Sequence, residues 1–307
     1  MRSKKYYLLL LFITGLLPGG NAFAKLEVFA CEPEWAALAK TLGGEHLAVF
    51  SATTAMQDPH HIQARPSLIA RARRADLLIC SGAELETGWL PLLLRKAGNE
   101  KILSAEGQFF AADHVEKLEI PMVLDRSQGD VHAEGNPHFH TSPENVLTIA
   151  SSLTHRLESV DSVNAGYYRT AYQAFRQEWS ALITQWRQQS EGLRDVKIIT
   201  HHKYWTYLNH WLGLRVVATL EPLPGVSPSS RHLADVSKVA KQQEVGFIVH
   251  VDYVNERPAQ WLSGKTGLPV VSLPATVDFQ SGETLQQWFG TVLDKLNATY
   301  SDLQEKS

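Results

Sequence analysis

Apolar residues in this chain fall into short continuous runs and into longer stretches with a spacing of three or four residues. The runs predict strands and the spaced stretches predict helices. In the first half the predicted strands are 25–31, 47–51, 75–80 and a short one at 101–103, and the predicted helices are 34–42, 66–74 and 86–96. The segment 107–128 is polar and irregular. Strands that alternate with helices in this way predict a parallel sheet with right-handed crossovers.

The middle of the chain predicts two helices, 143–160 and 165–189. The second carries large apolar side chains at helical spacing, namely Tyr168, Tyr172, Phe175, Trp179, Leu182 and Trp186. A helix of this length spans about 37 Å, which is the width of a domain. We therefore predict that it connects two lobes, with an ordinary long core helix as the alternative.

The second half repeats the alternation of strands and helices. Its predicted strands are 196–200, 214–218, 246–252 and 268–273, and its predicted helices are 204–211, one that begins near 230, and 257–266. The expected fold is α/β, with two lobes that each contain a parallel sheet flanked by helices and that are joined by the long, rigid connecting helix. The expected units are a leader at 1–24, an N-terminal lobe at 25–160, the connecting helix at 161–192 and a C-terminal lobe at 193–307.

The first 24 residues have the three parts of a cleavable secretory signal. Arg2, Lys4 and Lys5 precede an apolar run, and Ala22-Phe23-Ala24 provides a cleavage site before Lys25. The residue after that site is not a cysteine, so a lipid anchor is not expected. No later apolar run is long enough to span a bilayer. We therefore expect a soluble protein in the periplasm or a similar compartment.

Composition narrows the function further. Without the leader the chain has 26 basic and 32 acidic residues, a net charge of −6, which argues against a nucleic-acid partner. An oxidising compartment and two cysteines allow one pairing, Cys31 with Cys80. We predict this disulfide on the expectation that the first strand lies beside the third, and two buried free thiols are the alternative.

Three pairs of closely spaced histidines lie in predicted loops. They are His60-His61 after Asp58-Pro59, His138-Phe139-His140 in the Gly- and Pro-containing segment 129–145, and His201-His202 directly after a strand. Ser142 and Pro143 provide a helix cap and a first helical residue, which anchor the second of these loops. Ligands of α/β sheets bind beyond the carboxyl ends of the strands. One imidazole from each pair is therefore expected to meet the others in a metal site.

The other histidines have no such motif. His132 is either a solvated residue or a flexible accessory ligand. His250 alternates with Ile248 and Asp252 along a predicted strand, which favours a buried histidine satisfied by hydrogen bonds. The remaining five are expected at the surface or in packing, namely His46, His114, His155, His210 and His232.

A three-histidine metal site is also typical of catalytic zinc centres, in which bound water becomes the nucleophile. Such an enzyme needs a general base, and Glu134 or Asp278 is available for that role. The chain lacks H-E-x-x-H, other hydrolase motifs and G-x-S-x-G. A binding protein is therefore predicted ahead of a zinc-dependent hydrolase, with a passive metal-buffering or adhesive protein as a third possibility.

Three motifs stand in order along the chain. They are Asp58-Pro59-His60 followed by a helix start at Pro66-Ser67, the segment 136–145 (N-P-H-F-H-T-S-P-E-N), and a strand followed by His202, Tyr204-Trp205 and Gly213-Leu214. Together they resemble the motifs of the zinc- and manganese-binding solute-binding proteins of bacterial ABC transporters, the cluster A-I family. The resemblance covers nearly the whole chain. Asn136 and Ser142 stand where the family motif has aspartate.

The resemblance implies how the histidines are used. Its register selects His60, His138 and His202 as metal ligands in the cleft between the lobes. The family's fourth ligand is an aspartate in the loop after the last strand, for which Asp278 is the candidate, with water as the alternative. Contacts on both sides of the connecting helix are expected to limit closure of the lobes.

The implied function is capture of a divalent transition metal for a membrane ABC permease, by a monomeric periplasmic protein that is not an enzyme. Zinc (Zn²⁺), bound as the transported substrate, is preferred to manganese. The reason is that His202 supplies an imidazole, whereas the manganese members of the family commonly present two imidazoles and two carboxylates. A manganese-specific binding protein remains the alternative.

Overall fold

The chain forms two four-stranded sheets in which every neighbouring pair of strands is parallel. The computed structural model describes residues 24–122, 129 and 132–306, so the expected leader lies outside the described residues except for its last position. The first sheet contains β1 (Leu26–Ala30), β2 (Leu47–Ser51), β3 (Leu77–Cys80) and β4 (Gln108–Phe110) in the order β2-β1-β3-β4. The second contains β5 (Lys197–Thr200), β6 (Arg215–Thr219), β7 (Phe247–Val251) and β8 (Val270–Leu273) in the order β6-β5-β7-β8.

Helices connect and flank the strands. They are α1 (Pro33–Gly43), α2 (Pro66–Ala72), α3 (Leu90–Ala97), α4 (Pro143–Val160), α5 (Ala165–Gln189), α6 (Thr206–Leu212), α7 (Ser230–Gln242), α8 (Arg257–Thr266) and α9 (Leu285–Lys306). The predicted fold of two parallel sheets flanked by helices with one long helix is confirmed. We use N-terminal lobe for the β1–β4 sheet with its helices and C-terminal lobe for the β5–β8 sheet with its helices. The boundaries expected at 160 and 193 remain a prediction.

A helix cap and sustained apolar spacing account for the bounds of the two long middle helices. The Ser142 hydroxyl accepts a hydrogen bond from the Asn145 amide at 3.3 Å, and Pro143 takes the first helical position of α4. α5 has 25 residues and buries Tyr168, Phe175 and Trp179 along one side. α4 and α5 have the bounds that the sequence predicts, because their apolar spacing is sustained over several turns.

Three expectations for the first half are wrong. Residues 101–103 form a 3₁₀ turn and not a strand, and the fourth strand of the sheet is β4, within the segment expected to be irregular. β4 has only three residues, too few for a periodic pattern. α3 begins at Leu90 and not at 86, because Pro91 lacks an amide hydrogen and is tolerated only in a first helical turn. α9 was not predicted and lies beyond the last expected strand, 268–273.

One apolar cluster contains residues of both sheets. Val28 and Leu77 of the first sheet and Ile198 and Phe247 of the second belong to it, together with Trp179 of α5. The opposite faces of the two sheets are covered by separate clusters, one in each lobe. The two lobes therefore share a continuous core on the side of the long helix. Among the described residues, no helix combines the length and apolarity needed to cross a membrane.

The predicted disulfide between Cys31 and Cys80 is present. β1 and β3 are neighbours, and the two Cα atoms lie 4.8 Å apart where these strands end. Both cysteines are fully buried. The bridge closes a sequence separation of 49 residues, which in the chain-entropy model stabilises the folded state by about 4 kcal/mol.

We predict that replacing both cysteines, Cys31→Ala with Cys80→Ala, lowers the free energy of unfolding by about 4 kcal/mol because the unfolded chain regains the freedom that the bridge removes. Urea unfolding of metal-free protein measures this loss. Reduced wild-type protein is the control and should lose a similar amount. A double variant as stable as the oxidised wild type would contradict the prediction.

Candidate metal centre

The three histidines selected by the sequence lie close together at the carboxyl ends of strands from both sheets. His60 follows β2, His138 lies between β4 and α4, and His202 follows β5. The ring centroids are 5.6 Å apart for His60 and His138 and 5.8 Å apart for His138 and His202. The site is therefore built from both lobes, with His138 in the middle.

Two of these imidazoles are oriented by carboxylates. The His60 Nδ1 atom lies 2.7 Å from Asp58 Oδ1, and the His202 Nδ1 atom lies 2.8 Å from Glu221 Oε2. Burial tends to raise the pKa of Asp58, but the hydrogen bond and charge of His60 outweigh it and lower that pKa. When Nδ1 donates to a carboxylate, Nε2 carries the lone pair and is free to bind a metal. The role of Glu221 was not predicted, because its segment of the sequence shows only Pro, Gly and Ser enrichment.

His132 joins the group. Its Nε2 atom lies 3.2 Å from His60 Nε2, and the two rings are 5.2 Å apart. The following amide, that of Ala133, donates to the Glu84 carboxylate, which ties this part of the loop to the N-terminal lobe. His132 is half-buried and is therefore not the solvated residue that one reading of the sequence favours. Two imidazole nitrogens at this distance either share one proton or face a common ion.

His138 is the most buried histidine of the group, with 2% of its surface exposed. Its Nε2 atom has no hydrogen-bond partner among the described residues, and its ring stacks on Tyr204 with centroids 4.1 Å apart. Burial, and then the positive charges that neighbouring imidazoles would carry, lower the pKa of His138 well below its usual value. The same causes lower the pKa of His132 to about 4. Both rings are therefore neutral at pH 7 and able to act as metal ligands.

A buried polar layer supports His138 from below. His140 Nδ1 lies 3.4 Å from Glu34 Oε1, and Thr276 donates to Glu34 Oε2 at 2.6 Å. The Tyr204 hydroxyl donates to the carbonyl oxygen of Ala275 at 3.0 Å. These contacts join α1 of the N-terminal lobe to the loop after β8 of the C-terminal lobe. They hold the floor of the cleft in place under the histidines.

Asp278 occupies a different position from these rings. Its side chain is exposed, and its hydrogen bonds run to Ser281 and Glu283 in its own turn. In the loop after β8, Ala275 and Thr276 are the residues that border the inner cavity below His138. Glu134, the other candidate base of a hydrolase, lines a separate surface pocket beside Glu86. Asp278 as a ligand remains a prediction.

The opening above the histidines is small. It has a volume of about 70 Å³ and is lined by His132, His138 and His202 with Glu119, Asn136 and Lys203. Pockets for organic ligands usually measure about 300–1,000 Å³, so this one suits an ion with a few waters. Ring centroids in the group lie 5.2 Å apart for His60 and His132, 5.6 Å for His60 and His138, and 5.8 Å for His138 and His202.

Asn136 links the two lobes beside the site. Its Oδ1 atom accepts a hydrogen bond from the His138 amide at 2.9 Å. Its Nδ2 group donates to Glu119 Oε2 at 2.9 Å, to the carbonyl oxygen of Lys203, the residue after His202, at 2.8 Å, and to Thr206 Oγ1 at 3.2 Å. Aspartate, which the family motif has at this position, would accept the first bond but could not donate the others.

Two parallel sheets whose strand ends meet at a small cleft of imidazoles define a solute-binding protein for a metal ion. A protein-family model described as zinc-uptake complex component A, periplasmic, matches residues 28–299, and the chain belongs to this family. The family consists of solute-binding proteins and not of enzymes. The predictions that this chain captures a metal for an ABC transporter, resides outside the cytoplasm and is not an enzyme are thereby confirmed.

Individual relatives differ in their metal. The manganese ABC transporter substrate-binding lipoprotein PsaA of Streptococcus pneumoniae is 23% identical over 251 residues, covering 80% of this chain and 78% of that protein. The zinc-binding lipoprotein AdcA of S. pneumoniae serotype 4 is 23% identical over 238 residues, covering 75% of this chain and 46% of AdcA. A crystal structure of ZnuA superposes with a TM-score of 0.75 at 18% identity, covering 92% of this chain and 99% of that one, which shows the shared fold.

We predict that the burial of His132 makes the metal-free protein less stable in acid. Its folded pKa of about 4 lies below the unfolded value of about 6.5. The unfolded chain therefore binds a proton first as pH falls from about 6.5 to 4, and stability is lost in that window. His132→Asn removes this contribution, so the wild type should lose about 2–3 kcal/mol more than the variant between pH 7 and pH 4. Urea unfolding at both pH values measures the difference. Equal losses of stability in the wild type and the variant would contradict the prediction that the pKa of His132 is lowered in the folded protein.

We predict that Asn136→Asp weakens metal binding about tenfold, since an unsatisfied buried polar contact costs on the order of 1–3 kcal/mol. The variant keeps the bond from the His138 amide but loses the bonds that Nδ2 donates, and it places a second carboxylate beside Glu119. Asn164→Asp is the matched control, because Asn164 also donates to a carboxylate, that of Asp161, but far from the cleft. Chelator competition gives the affinities. Equal affinity in both variants would show that the Asn136 link does not position the ligands.

Proposed function

We propose that this protein captures zinc through His60, His132, His138 and His202 and delivers it as transported substrate to a membrane ABC permease. The observation that carries this proposal is the meeting of four imidazoles, two of them with Nε2 freed by a carboxylate on Nδ1. Neutral imidazoles are good ligands for zinc, and four donors complete its preferred tetrahedron. The ion would take the place of the direct contact between the Nε2 atoms of His60 and His132.

The fourth donor in this proposal is His132 in place of Asp278. The reason is proximity, because His132 Nε2 lies 3.2 Å from His60 Nε2, whereas the Asp278 carboxylate is exposed and bonded within its own turn. His132 also directly precedes Ala133, whose amide is held by the Glu84 carboxylate. An ion that enters from solvent would meet this ring near the opening, beside His202.

Donor type favours zinc over manganese. Manganese prefers oxygen ligands and higher coordination numbers, whereas a set of imidazoles suits a borderline ion with four ligands. The two nearby carboxylates, Asp58 and Glu221, are engaged by Nδ1 atoms and supply negative charge from the second layer. Copper and nickel also bind imidazole strongly, so discrimination against these two metals is no part of the proposal.

The same proposal includes the compartment, the oligomeric state and the partners of the protein. The mature chain begins at Lys25 after removal of the leader, acts in the periplasm as a monomer and has no nucleic-acid partner. The shared apolar core and the polar layer below His138 support a cleft of nearly constant width. Capture and release would then use local movement of the His60 and His132 side chains.

We predict that equal concentrations of free zinc and manganese at neutral pH give protein loaded almost wholly with zinc. Elemental analysis after removal of unbound metal measures the ratio. The expected stoichiometry is one zinc ion per oxidised chain. Predominant manganese loading would refute the nitrogen-rich ligand set while leaving metal capture intact.

Single substitutions test each donor. His138→Ala should weaken zinc binding at least a hundredfold, and His132→Ala should weaken it about tenfold because a water can replace a peripheral donor. His61→Ala and Asp278→Asn serve as controls on exposed neighbours and should stay within about twofold of the wild type. Isothermal titration or chelator competition gives the affinities. A loss in Asp278→Asn with none in His132→Ala would restore Asp278 as the fourth ligand.

A further inference from the structure

A second group of potential ligands lies away from the histidines, where β1 and β3 end. It consists of Cys31, Cys80 and Glu86, whose residues are 0%, 0% and 3% exposed. One sulfur from each cysteine and a carboxylate oxygen of Glu86 all lie within 4.8 Å of one another. The histidine centre uses none of these atoms.

We propose that reduction of the Cys31–Cys80 disulfide creates a second zinc site formed by the two thiolates and Glu86. Zinc binds thiolate sulfur at about 2.3 Å and carboxylate oxygen at about 2.0–2.2 Å, so ligand atoms in its tetrahedron are about 3.5 Å apart. The Glu86 carboxylate oxygen already lies within 4.8 Å of both sulfurs, and the sulfurs separate from bonding distance when the bridge is reduced. Thiolates are also the softest donors in proteins and strongly favour zinc over manganese or magnesium.

The redox step is balanced by a dithiol reductant. The two thiols of the reductant become a disulfide, and two electrons with two protons pass to the sulfurs of Cys31 and Cys80. Zinc then displaces both thiol protons, together with the proton on Glu86 when that carboxyl is protonated. The protein alone cannot carry out this step, so the site exists only where a dithiol reduces the bridge.

The surroundings of Glu86 suit a bound cation. Burial raises the pKa of Glu86 to about 7, and burial together with the charges of Glu86 and Glu34 raises that of Glu32 well above its usual value. Glu32 Oε2 accepts hydrogen bonds from the amide and hydroxyl of Ser81, at 3.0 and 3.1 Å. The side chains of Glu32 and Glu86 also hydrogen-bond to each other, which requires one proton between the two carboxyl groups. A cation bound by Glu86 would take over the charge compensation that this proton provides.

Glu86 is the member of the group that borders a surface pocket. This residue lines a surface pocket of about 290 Å³ together with Gly82, Thr87, Leu90 and Asp113. The Gly82 amide donates to both oxygens of Glu86, at 3.1 and 3.2 Å, and fixes the carboxylate at the inner end of the pocket. Glu86 therefore lies between this pocket and a bridge that is itself fully buried.

The test compares the mature chain in its oxidised form with the same chain reduced by dithiothreitol. The reductant is removed under exclusion of oxygen before metal is added. The zinc content measured by elemental analysis should rise from one ion per oxidised chain to two per reduced chain. Cobalt loaded in place of zinc should give a sulfur-to-cobalt charge-transfer band only in the reduced protein. An unchanged stoichiometry without this band would overturn the proposal, as would loss of the folded circular dichroism spectrum on reduction.

Two variants separate this site from the histidine centre. Glu86→Gln preserves size and both cysteines, and the reduced variant should bind the second ion at least tenfold more weakly while binding the first ion unchanged. Cys31→Ala with Cys80→Ala should bind one ion with or without reductant. A second ion held equally well in reduced Glu86→Gln would exclude Glu86 as a ligand and overturn the proposed site. A first ion missing from every oxidised form would instead count against the proposed function alone.

Discussion

The apolar core shared by the two sheets is the constraint on which the metal centre depends. Trp35, Trp179 and Trp288 are fully buried in it, and each tryptophan buries about 150–250 Å², or about 4–6 kcal/mol at 25 cal/mol per Å². Pulling the lobes apart would expose much of this surface. The spacing between ligands of different lobes is therefore set by packing, and His138 of one lobe rests on Tyr204 of the other.

A fixed, buried cleft also determines the charge of its side chains. Burial in apolar surroundings disfavours protonated imidazole, so His132 and His138 remain neutral with lone pairs available. Asp58 and Glu221 stand behind His60 and His202 and provide the countercharge for a divalent ion. Packing, desolvation and these two carboxylates thus act together, and none of them alone would make a metal site.

Regular elements could be predicted where the sequence repeats a pattern over enough residues. α5 and α8 have the expected bounds, since α5 sustains its aromatic spacing over 25 residues and α8 ends at Gly267, which adopts a left-handed conformation. β4 could not be predicted, because its three residues form a strand only through pairing with Leu78, Ile79 and Cys80. The start of α3 depended on Pro91 more than on the apolar spacing before it.

The site shows a similar division between local and distant information. Paired histidines in loops and family-like motifs pointed to His60, His138 and His202, whereas the approach of His132 to His60 spans 72 residues and has no local signal. The loop after β8 illustrates the limit best. The family register predicts Asp278 of this loop as a ligand. The carboxylate that lies under the cleft beside the loop is that of Glu34. It accepts a hydrogen bond from Thr276, which is 242 residues away in sequence. Sequence spacing can place a loop at the cleft, and only the tertiary fold decides which side chain of the loop, or of a distant helix, faces the site.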